Sequence, residues 1–412
     1  MEVDKKILPD VEVVDNRVFI LRSNDDLWSH LVALGMDDEF VLEESGNLDD
    51  LDKWIAQKSD WVFGYLSYDL KNKIEKLETQ HPNSTQVNPA HFICPKAVFS
   101  FDASGIRILK SHPLCDDEFI YNWFDQYIQQ SPIDLNESIK LISAQSKEEY
   151  LNSVNSLKTH IHGGDIYEVN YCNEFFANKK LQSPFNTWLR LNEKTLAPFS
   201  AFVQIEKITL MCGSPERYLQ RTGTKLISQP IKGTMKRSPD EVIDEQLKKE
   251  LHESLKERTE NVMIVDLVRN DLSRSAERGS VKVEKQFEPV TFKTVHHLVS
   301  TISAEINSDV SFVDLIKDTF PMGSMTGAPK IRAMQLSDHY ETSARGLYSG
   351  SIGYIKPDGD FDFNVVIRSI VYNSSMPYIS THVGGAITAL CDPEKEYEEC
   401  QLKIRAVVEA LG

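Results

Sequence analysis

Residues 346–372 read GLYSGSIGYIKPDGDFDFNVVIRSIVY, two runs rich in aromatic and β-branched residues joined by Pro357-Asp358-Gly359. Such runs favour extended backbone and the Pro-Asp-Gly triplet favours a turn, so the stretch predicts a hairpin. With period-two alternation, Phe361, Phe363, Val365 and Ile367 fall on one face of the returning strand and leave Arg368 on the other. A rigid sheet can hold such an arginine at a cleft, where its planar guanidinium engages a carboxylate through two hydrogen bonds. Tyr348, on the outgoing run, could add one hydroxyl; the parity of the KPDGD loop decides whether it shares that face. An arginine paired with an acidic neighbour beside a core tyrosine is the plain alternative.

Outward from the hairpin, the 412 residues are 41% hydrophobic and 26% charged, the composition of a folded chain with a real core. Length alone predicts two or three domains. Acidic side chains outnumber basic ones 62 to 45, and the resulting charge of -17 weighs against a nucleic-acid partner collected on a basic surface. The cysteines, at 94, 115, 172, 212, 391 and 400, form no C-x-x-C pair. That speaks against a compact thiolate zinc site and against a disulfide framework, and a cytoplasmic location fits best. No apolar signal core follows MEVDKKILPD and no apolar run is long enough to span a bilayer, so neither export nor a membrane partner is expected.

Three helices are readable from their caps. Ser146 followed by Glu149 is a capping box, and the run it opens is interrupted at Gly163-Gly164 before the strand-like IYEVNYCNEFFA. Ser238, Pro239 and Glu241 predict a second helix start, with Leu247, Leu251 and Leu255 repeating every four residues and a continuation, TENVMIVDLVRNDL, that carries Glu260. Asp392 and Pro393 open the last helix, whose stripe of Tyr397, Cys400, Ile404, Val407 and Leu411 faces a core. Glu396 and Glu399 stand one turn apart beside that stripe.

The chemistry gathers around SQPIKGTMKRSPDE, residues 228–241. Lys232 lies between an apolar residue and Gly-Thr, where a solvated turn is the ordinary expectation. Glu216, in MCGSPERYLQ sixteen residues earlier, could be returned to the same place by a strand, a turn and a second strand, bringing a proton donor to an amine. Glu260 and Glu399, from separate helices, could hold a magnesium ion that keeps most of its waters, although paired helical carboxylates more often solvate a surface. In FPMGSMTGAPKIRAM, Gly323 and Gly327 permit close backbone approach, but the stretch is not a phosphate loop. HVGGAITAL likewise lacks a dinucleotide fingerprint. Exposed peptide donors around these glycines could still hold an anion. Of His296 and His297, alternation sends one toward a cleft and the other to core or surface.

Taken in order, GGDIYEVNYC, SPERYL, PIKGT, ENVMIVDLVRNDL, HHLVSTI, PMGSMTGAPKIRAM, GLYSGSIGYI, DFNVVIRS and EYEECQLKIRAV resemble the chorismate-utilising enzymes, a family that includes anthranilate synthase component I and aminodeoxychorismate synthase component I. The resemblance covers most of residues 145–412; GYLSYD extends it loosely into residues 1–130, the variable sheet-forming portion. It implies an α+β fold of two large, mainly antiparallel sheets packed together with helices outside. It also implies one catalytic unit over residues 1–412 in place of two or three domains. It assigns Glu260 and Glu399 to magnesium, Tyr348 and Arg368 to a substrate carboxylate, and Glu216 to the acid that assists loss of the ring hydroxyl. His297, rather than His296, matches the family histidine, and Thr326, Gly384 and Gly385 fall in substrate-pocket segments.

Within the family, PIAGT or PLAGT marks anthranilate, isochorismate and salicylate producers, whereas PIKGT marks aminodeoxychorismate synthases. Lys232 therefore implies a covalent nucleophile and the conversion of chorismate and ammonia to 4-amino-4-deoxychorismate, toward 4-aminobenzoate and folate. Anthranilate synthesis is the nearest alternative and a catalytically silent partner-binding scaffold a more distant one. No cysteine has the context of a glutamine-hydrolysing nucleophile, so the resemblance implies a separate glutamine amidotransferase subunit as ammonia source. Three departures stand out: Ala386 replaces a glycine, Leu390 or Cys391 an acidic residue, and Glu168 a glutamine.

Overall fold

The computed structural model describes residues 15–133 and 138–412. The N-terminal stretch read for a signal core lies outside them. The described chain builds two large antiparallel sheets. The first runs, in spatial order, Gly327–Ala328, Glu168–Ala177, Tyr378–Thr388, Ser369–Asn373, Ile208–Ser214, Phe199–Ile205, Arg17–Arg22, Leu31–Leu34, Ala97–Asp102 and Gly105–Lys110, with Ile142–Ser143 added beside Glu168–Ala177. The second runs Ile231–Lys236, Val295–Glu305, Lys225–Gln229, Arg217–Thr222, Phe361–Asn364, Ser351–Ile355, Val62–Leu66, Ala90–Cys94 and Asp38–Leu42, with Lys282–Thr291 on the other side of Val295–Glu305. Strands from residues 17–110 thus extend both sheets.

Alternation along RVFILR shows how the layers form. Phe19 and Leu21 point between the sheets, where they meet Phe63, Tyr65, Ile352 and Leu210; Val18 and Ile20 point outward under helices. The outer face of the first sheet is covered by Asp117–Ile128, Lys147–His162, Pro184–Thr195 and Pro393–Ala410. Asp49–Ala56, Leu255–Ser273 and Phe312–Thr319 cover the second. The result is helix, sheet, sheet, helix, with the exposed strand residues concentrated in outer strands such as Lys282–Thr291 and Gly105–Lys110. At about 1.5–3 kcal/mol for each large apolar side chain removed from water, these three clusters supply the main stabilising term.

The Ser146 box forms as predicted, with Glu149 returning the bond, and Asp392 caps the last helix with Pro393 behind it. The middle helix differs. It starts at Glu241, because the Asp240 carboxylate accepts from Val242 and Ile243 N–H and is the stronger acceptor at a helix N-terminus; Ser238 instead donates its N–H to Asp244. It also ends at Glu253. Ser254 turns extended and caps a new helix, Leu255–Ser273, so the four-residue leucine repeat breaks and Leu255 is 80% exposed.

The hairpin forms between Ser351–Ile355 and Phe361–Asn364, closed by a turn in which Gly359 takes φ +87°. The returning strand stops short of Arg368, however. Residues 365–368 carry the chain from the second sheet into Ser369–Asn373 of the first, and Arg368 takes a left-handed φ of +50° at the crossing. A second crossing lies beside it: Ile208–Ser214 belongs to the first sheet, Arg217–Thr222 to the second, and Glu216 sits between them. The crossings are laced together by Gly213 N–H to Arg368 C=O at 3.1 Å and Val365 N–H to Glu216 C=O at 3.0 Å.

Candidate active site

The paired crossings bring Glu216 and Arg368 into one cleft. Glu216 is 4% exposed, and burial pushes its carboxyl up to about 7 against the pull of the Ser324 hydroxyl, Lys232 and the Ile231 N–H. It is therefore a carboxylic acid able to hold its proton near neutrality. Lys232 follows Ile231 on the strand Ile231–Lys236, which pairs with one neighbour and bulges between Lys232 and Thr234. The side chain is no solvated turn lysine: it is 11% exposed, and Nζ donates to Glu168 Oε1 at 3.1 Å. Burial opposes its charge, but Glu168, Glu260 and Glu216 outweigh burial and hold the ammonium above its ordinary pKa.

Gly233 has φ +76°, which turns its carbonyl toward His297. His297 Nδ1–H donates to that carbonyl at 3.0 Å, so the neutral ring presents Nε2 as an acceptor, buried and without a partner among the described residues. Burial, with Arg368 nearby, pushes this histidine down to about 3 and keeps it neutral. His296 is structural: its nitrogens meet Asp244 at 3.0 Å and the Thr291 hydroxyl at 3.0 Å. Arg368 makes no ion pair among the described residues; burial depresses its pKa, and Tyr348 is the group that works the other way. The acidic partner of the plain reading is absent, which leaves the guanidinium for a ligand. Tyr348 is buried and approaches Cys172 Sγ at 4.0 Å.

Thr326, 2% exposed, ends the short turn Gly323–Met325, and its carbonyl accepts from Asn170 N–H at 2.7 Å. Gly327 follows at φ +146°, where a Cβ would lie 2.2 Å from the Glu168 carbonyl, so only glycine lets this loop seat on the strand that carries Glu168. Gly384 and Gly385 lie opposite Cys172 and Tyr171. A Cβ on Gly385 would meet Glu396 Oε2 at 3.1 Å and Glu399 Oε1 at 3.9 Å, so the missing side chain leaves room over the last helix's carboxylates. Ala386 sits in regular strand opposite Asn170; Cys391 is buried and Leu390 is 97% exposed.

Across that space stands Glu260, its carboxyl pushed up to about 7 by burial against Lys232 and Lys256, with Oε1 buried and unpartnered among the described residues. Lys256 Nζ lies 3.8 Å from Glu260 and 3.4 Å from Glu396, an ammonium held where carboxylates from two helices converge. Lys403 binds Glu399 at 2.7 Å and the Gly384 carbonyl at 2.8 Å, and this pairing outweighs burial to lower the Glu399 pKa. No three His, Cys, Asp or Glu side chains among the described residues form a ready-made ligand set. Hard oxygen donors, an orphaned carboxylate oxygen and a glycine-made space nevertheless fit magnesium, which takes few protein ligands and retains water.

The structure thus gathers Lys232, Glu216, His297, Arg368, Tyr348, Thr326, Gly384, Gly385, Glu260 and Glu399 into one neighbourhood, where the sheet crossings meet the edge strand Ile231–Lys236 and the helices Leu255–Ser273 and Pro393–Ala410. It adds partners to which no role was given from sequence. Glu396 carried a signal, standing three residues before Glu399 on one helical face; Lys256 carried one too, four before Glu260. Glu168 was visible only as an acidic residue in place of glutamine. Nothing local announced Ser324.

Comparison with known proteins agrees with this architecture. Residues 20–409 match the chorismate binding enzyme family. The chain is 42% identical over 286 residues to the chloroplastic aminodeoxychorismate synthase of Arabidopsis thaliana, covering 68% of this chain and 31% of that one. It is 38% identical over 269 residues to aminodeoxychorismate synthase component 1 of Escherichia coli strain K12, covering 65% and 59%. The matched part thus spans less than two thirds of these relatives' length. Among solved structures, anthranilate synthase component I from Streptococcus pneumoniae TIGR4 superposes with a TM-score of 0.78 at 24% identity, covering 94% of each chain. The menaquinone-specific isochorismate synthase of Escherichia coli gives 0.75 at 16% identity, covering 99% of this chain and 92% of that one. Both share the fold. With the match running nearly end to end through both sheets and the cleft, the chain belongs to the chorismate binding enzyme family.

Proposed function

We propose that this chain converts chorismate and ammonia to 4-amino-4-deoxychorismate in a magnesium-dependent reaction, with Lys232 as a covalent nucleophile. The observation that carries the reading is a buried amine beside a buried acid: Lys232 Nζ faces the same interior as Glu216, whose carboxyl is pushed up to about 7 by burial. The names of the Arabidopsis and Escherichia coli relatives support the same product.

Arg368, with Tyr348 nearby, holds one substrate carboxylate bidentately. His297 Nε2 is free to accept from a ring hydroxyl. Glu216 gives its proton to the C4 hydroxyl as Lys232 attacks C2, and the hydroxyl leaves as water. Ammonia then adds at C4 and displaces Lys232, which leaves the pyruvyl ether intact. Glu260 and Glu399, with Glu396 beside them, would hold magnesium, which when bound neutralises a second substrate carboxylate and eases charge redistribution in the ring. Ammonia comes from a separate glutamine amidotransferase, and the designation component 1 of the Escherichia coli relative fits that division.

The test is Lys232→Gln. Lys232→Ala leaves Glu168 buried without its partner, a loss of about 3–5 kcal/mol. Glutamine can still donate toward Glu168. Purified parent enzyme with chorismate, magnesium and ammonium is expected to form aminodeoxychorismate, and the variant to lose on the order of 10³-fold in rate while still binding chorismate. High-yield anthranilate from the parent, or equal rates in the two proteins, refutes the proposal.

A further inference from the structure

Lys232 poses a problem that the proposed reaction must solve: an ammonium has no lone pair with which to attack. Carboxylates face Lys232 from every element around it. Glu168 comes from the strand Glu168–Ala177, Glu216 from the sheet crossing, Glu257 and Glu260 from the helix Leu255–Ser273, and Glu399 from the helix Pro393–Ala410. All of them favour the charged amine. One of them touches it. Glu168 Oε1 is 3.1 Å from Nζ, Glu168 is 1% exposed, and its other oxygen, Oε2, is buried with no partner among the described residues.

We infer that Glu168 is the general base of the reaction, taking the proton from Lys232 before the amine attacks the ring. This rests on the proposed role of Lys232. The physical case is geometric: Glu168 holds the acceptor in direct contact with Nζ, and passing one proton across that contact neutralises a buried pair without changing the charge of the site, against neighbouring carboxylates that favour the ammonium in the resting state. Any other acceptor would have to be reached across a larger gap. The strand supports the geometry, because Gly327 packs against the Glu168 carbonyl and fixes the backbone from which the carboxylate projects.

The step balances. The N–H bond of Nζ breaks as an O–H bond forms on Glu168. The lone pair forms the bond to C2, electrons shift through the ring diene, the C4–O bond breaks, and water leaves with the proton of Glu216. When ammonia bonds to C4, the electrons shift back and the C2–N bond breaks, releasing neutral Lys232, which recovers its proton from Glu168. The new C4 ammonium gives a proton to Glu216, so the site returns to its starting state and the net change is chorismate plus ammonia to product plus water.

The test follows the adduct. Parent, Glu168→Gln and Glu168→Asp enzymes are mixed with chorismate and magnesium without ammonia, quenched at intervals between pH 6 and 9, and weighed intact. Taking the ratio of variant to parent rate cancels the titration of Glu216, common to both. In Glu168→Gln the Lys232 adduct is expected to form about 100-fold more slowly at pH 7. The ratio should rise with pH as hydroxide replaces the missing base, and Glu168→Asp should recover part of the rate. Adduct formation in Glu168→Gln at the parent rate or faster overturns the inference, since Glu168 would then be a counter-ion that restrains the amine. A slow rate with a pH-independent ratio also overturns it, indicating a structural role. Chorismate binding and near-ultraviolet circular dichroism report that each variant is folded. Absence of adduct from a parent that still makes product removes the nucleophile itself; Lys232→Gln would then also turn over, which separates that failure from a failure of Glu168 alone.

Discussion

Glu216→Gln should make the ligand-free enzyme more stable at pH 8 while abolishing most of its turnover. Glu216 is 4% exposed, and burial raises its carboxyl from 4.5 to about 7. That difference corresponds to about 3.4 kcal/mol at roughly 1.36 kcal/mol for each pH unit. The sign follows from proton counting. Below pH 4.5 the carboxyl is protonated in both folded and unfolded chains and contributes nothing. Between 4.5 and about 7 the folded chain binds the extra proton, so stability falls as pH rises, and above 7 the cost of the buried charge is present in full. Glutamine has the same shape and no such cost. Urea unfolding of both proteins at pH 4.5 and pH 8 should therefore show the variant gaining about 3 kcal/mol, relative to the parent, between the two conditions. Turnover should fall about 10²–10⁴-fold, the worth of a positioned acid. A stability difference that is the same at both pH values would refute the argument that this carboxyl is held neutral, and unchanged turnover would remove it from the reaction.

Arg368→Lys replaces a planar fork with a point charge, so KM for chorismate should rise about 10-fold or more with kcat less affected. Steady-state kinetics check it, and an unchanged KM would show that the guanidinium does not hold the substrate. Gly385→Ala places a methyl 3.1 Å from Glu396 Oε2. Calorimetric titration of the ligand-free variant with magnesium should show affinity lower by about 10-fold, and an isotherm identical to the parent's would move the metal elsewhere.

Caps and alternation made much of this fold legible, because both are local: the Ser146 box, the Asp392-Pro393 start and the 351–364 hairpin formed from neighbours in sequence. The helix start moved from Ser238 to Asp240 because two good capping residues competed and the carboxylate won. The break at Ser254 was hidden because apolar residues continue at helical spacing on both sides of it. Arg368 was placed on the returning strand because alternation runs through Phe361, Phe363 and Val365 without pause; leaving one sheet for the other is a long-range event with no period of its own. In the site, the resemblance singled out Lys232, Glu216, Glu260 and Arg368, and the structure places them as neighbours. What they touch was not readable, since Glu168 lies 64 residues from Lys232 and Lys256 lies 140 from Glu396.

The two laced crossings divide this cleft into a part that is fixed and a part that is open to revision. Glu216 and Arg368 are tied to each other through Gly213 and Val365, and both are tied into both sheets, so one cannot be displaced without shearing the sandwich. The spacing between these two residues is in this sense a dimension of the scaffold, as a gauge block is of a machine. Lys232 belongs to the opposite case. Its strand has one neighbour and a bulge beside it, so its backbone hangs on a single strand, and beyond that strand its side chain is held by Glu168. On the proposed roles, a fold so divided keeps one way of holding a ring and ejecting its hydroxyl while the attacking group is changed on an edge strand.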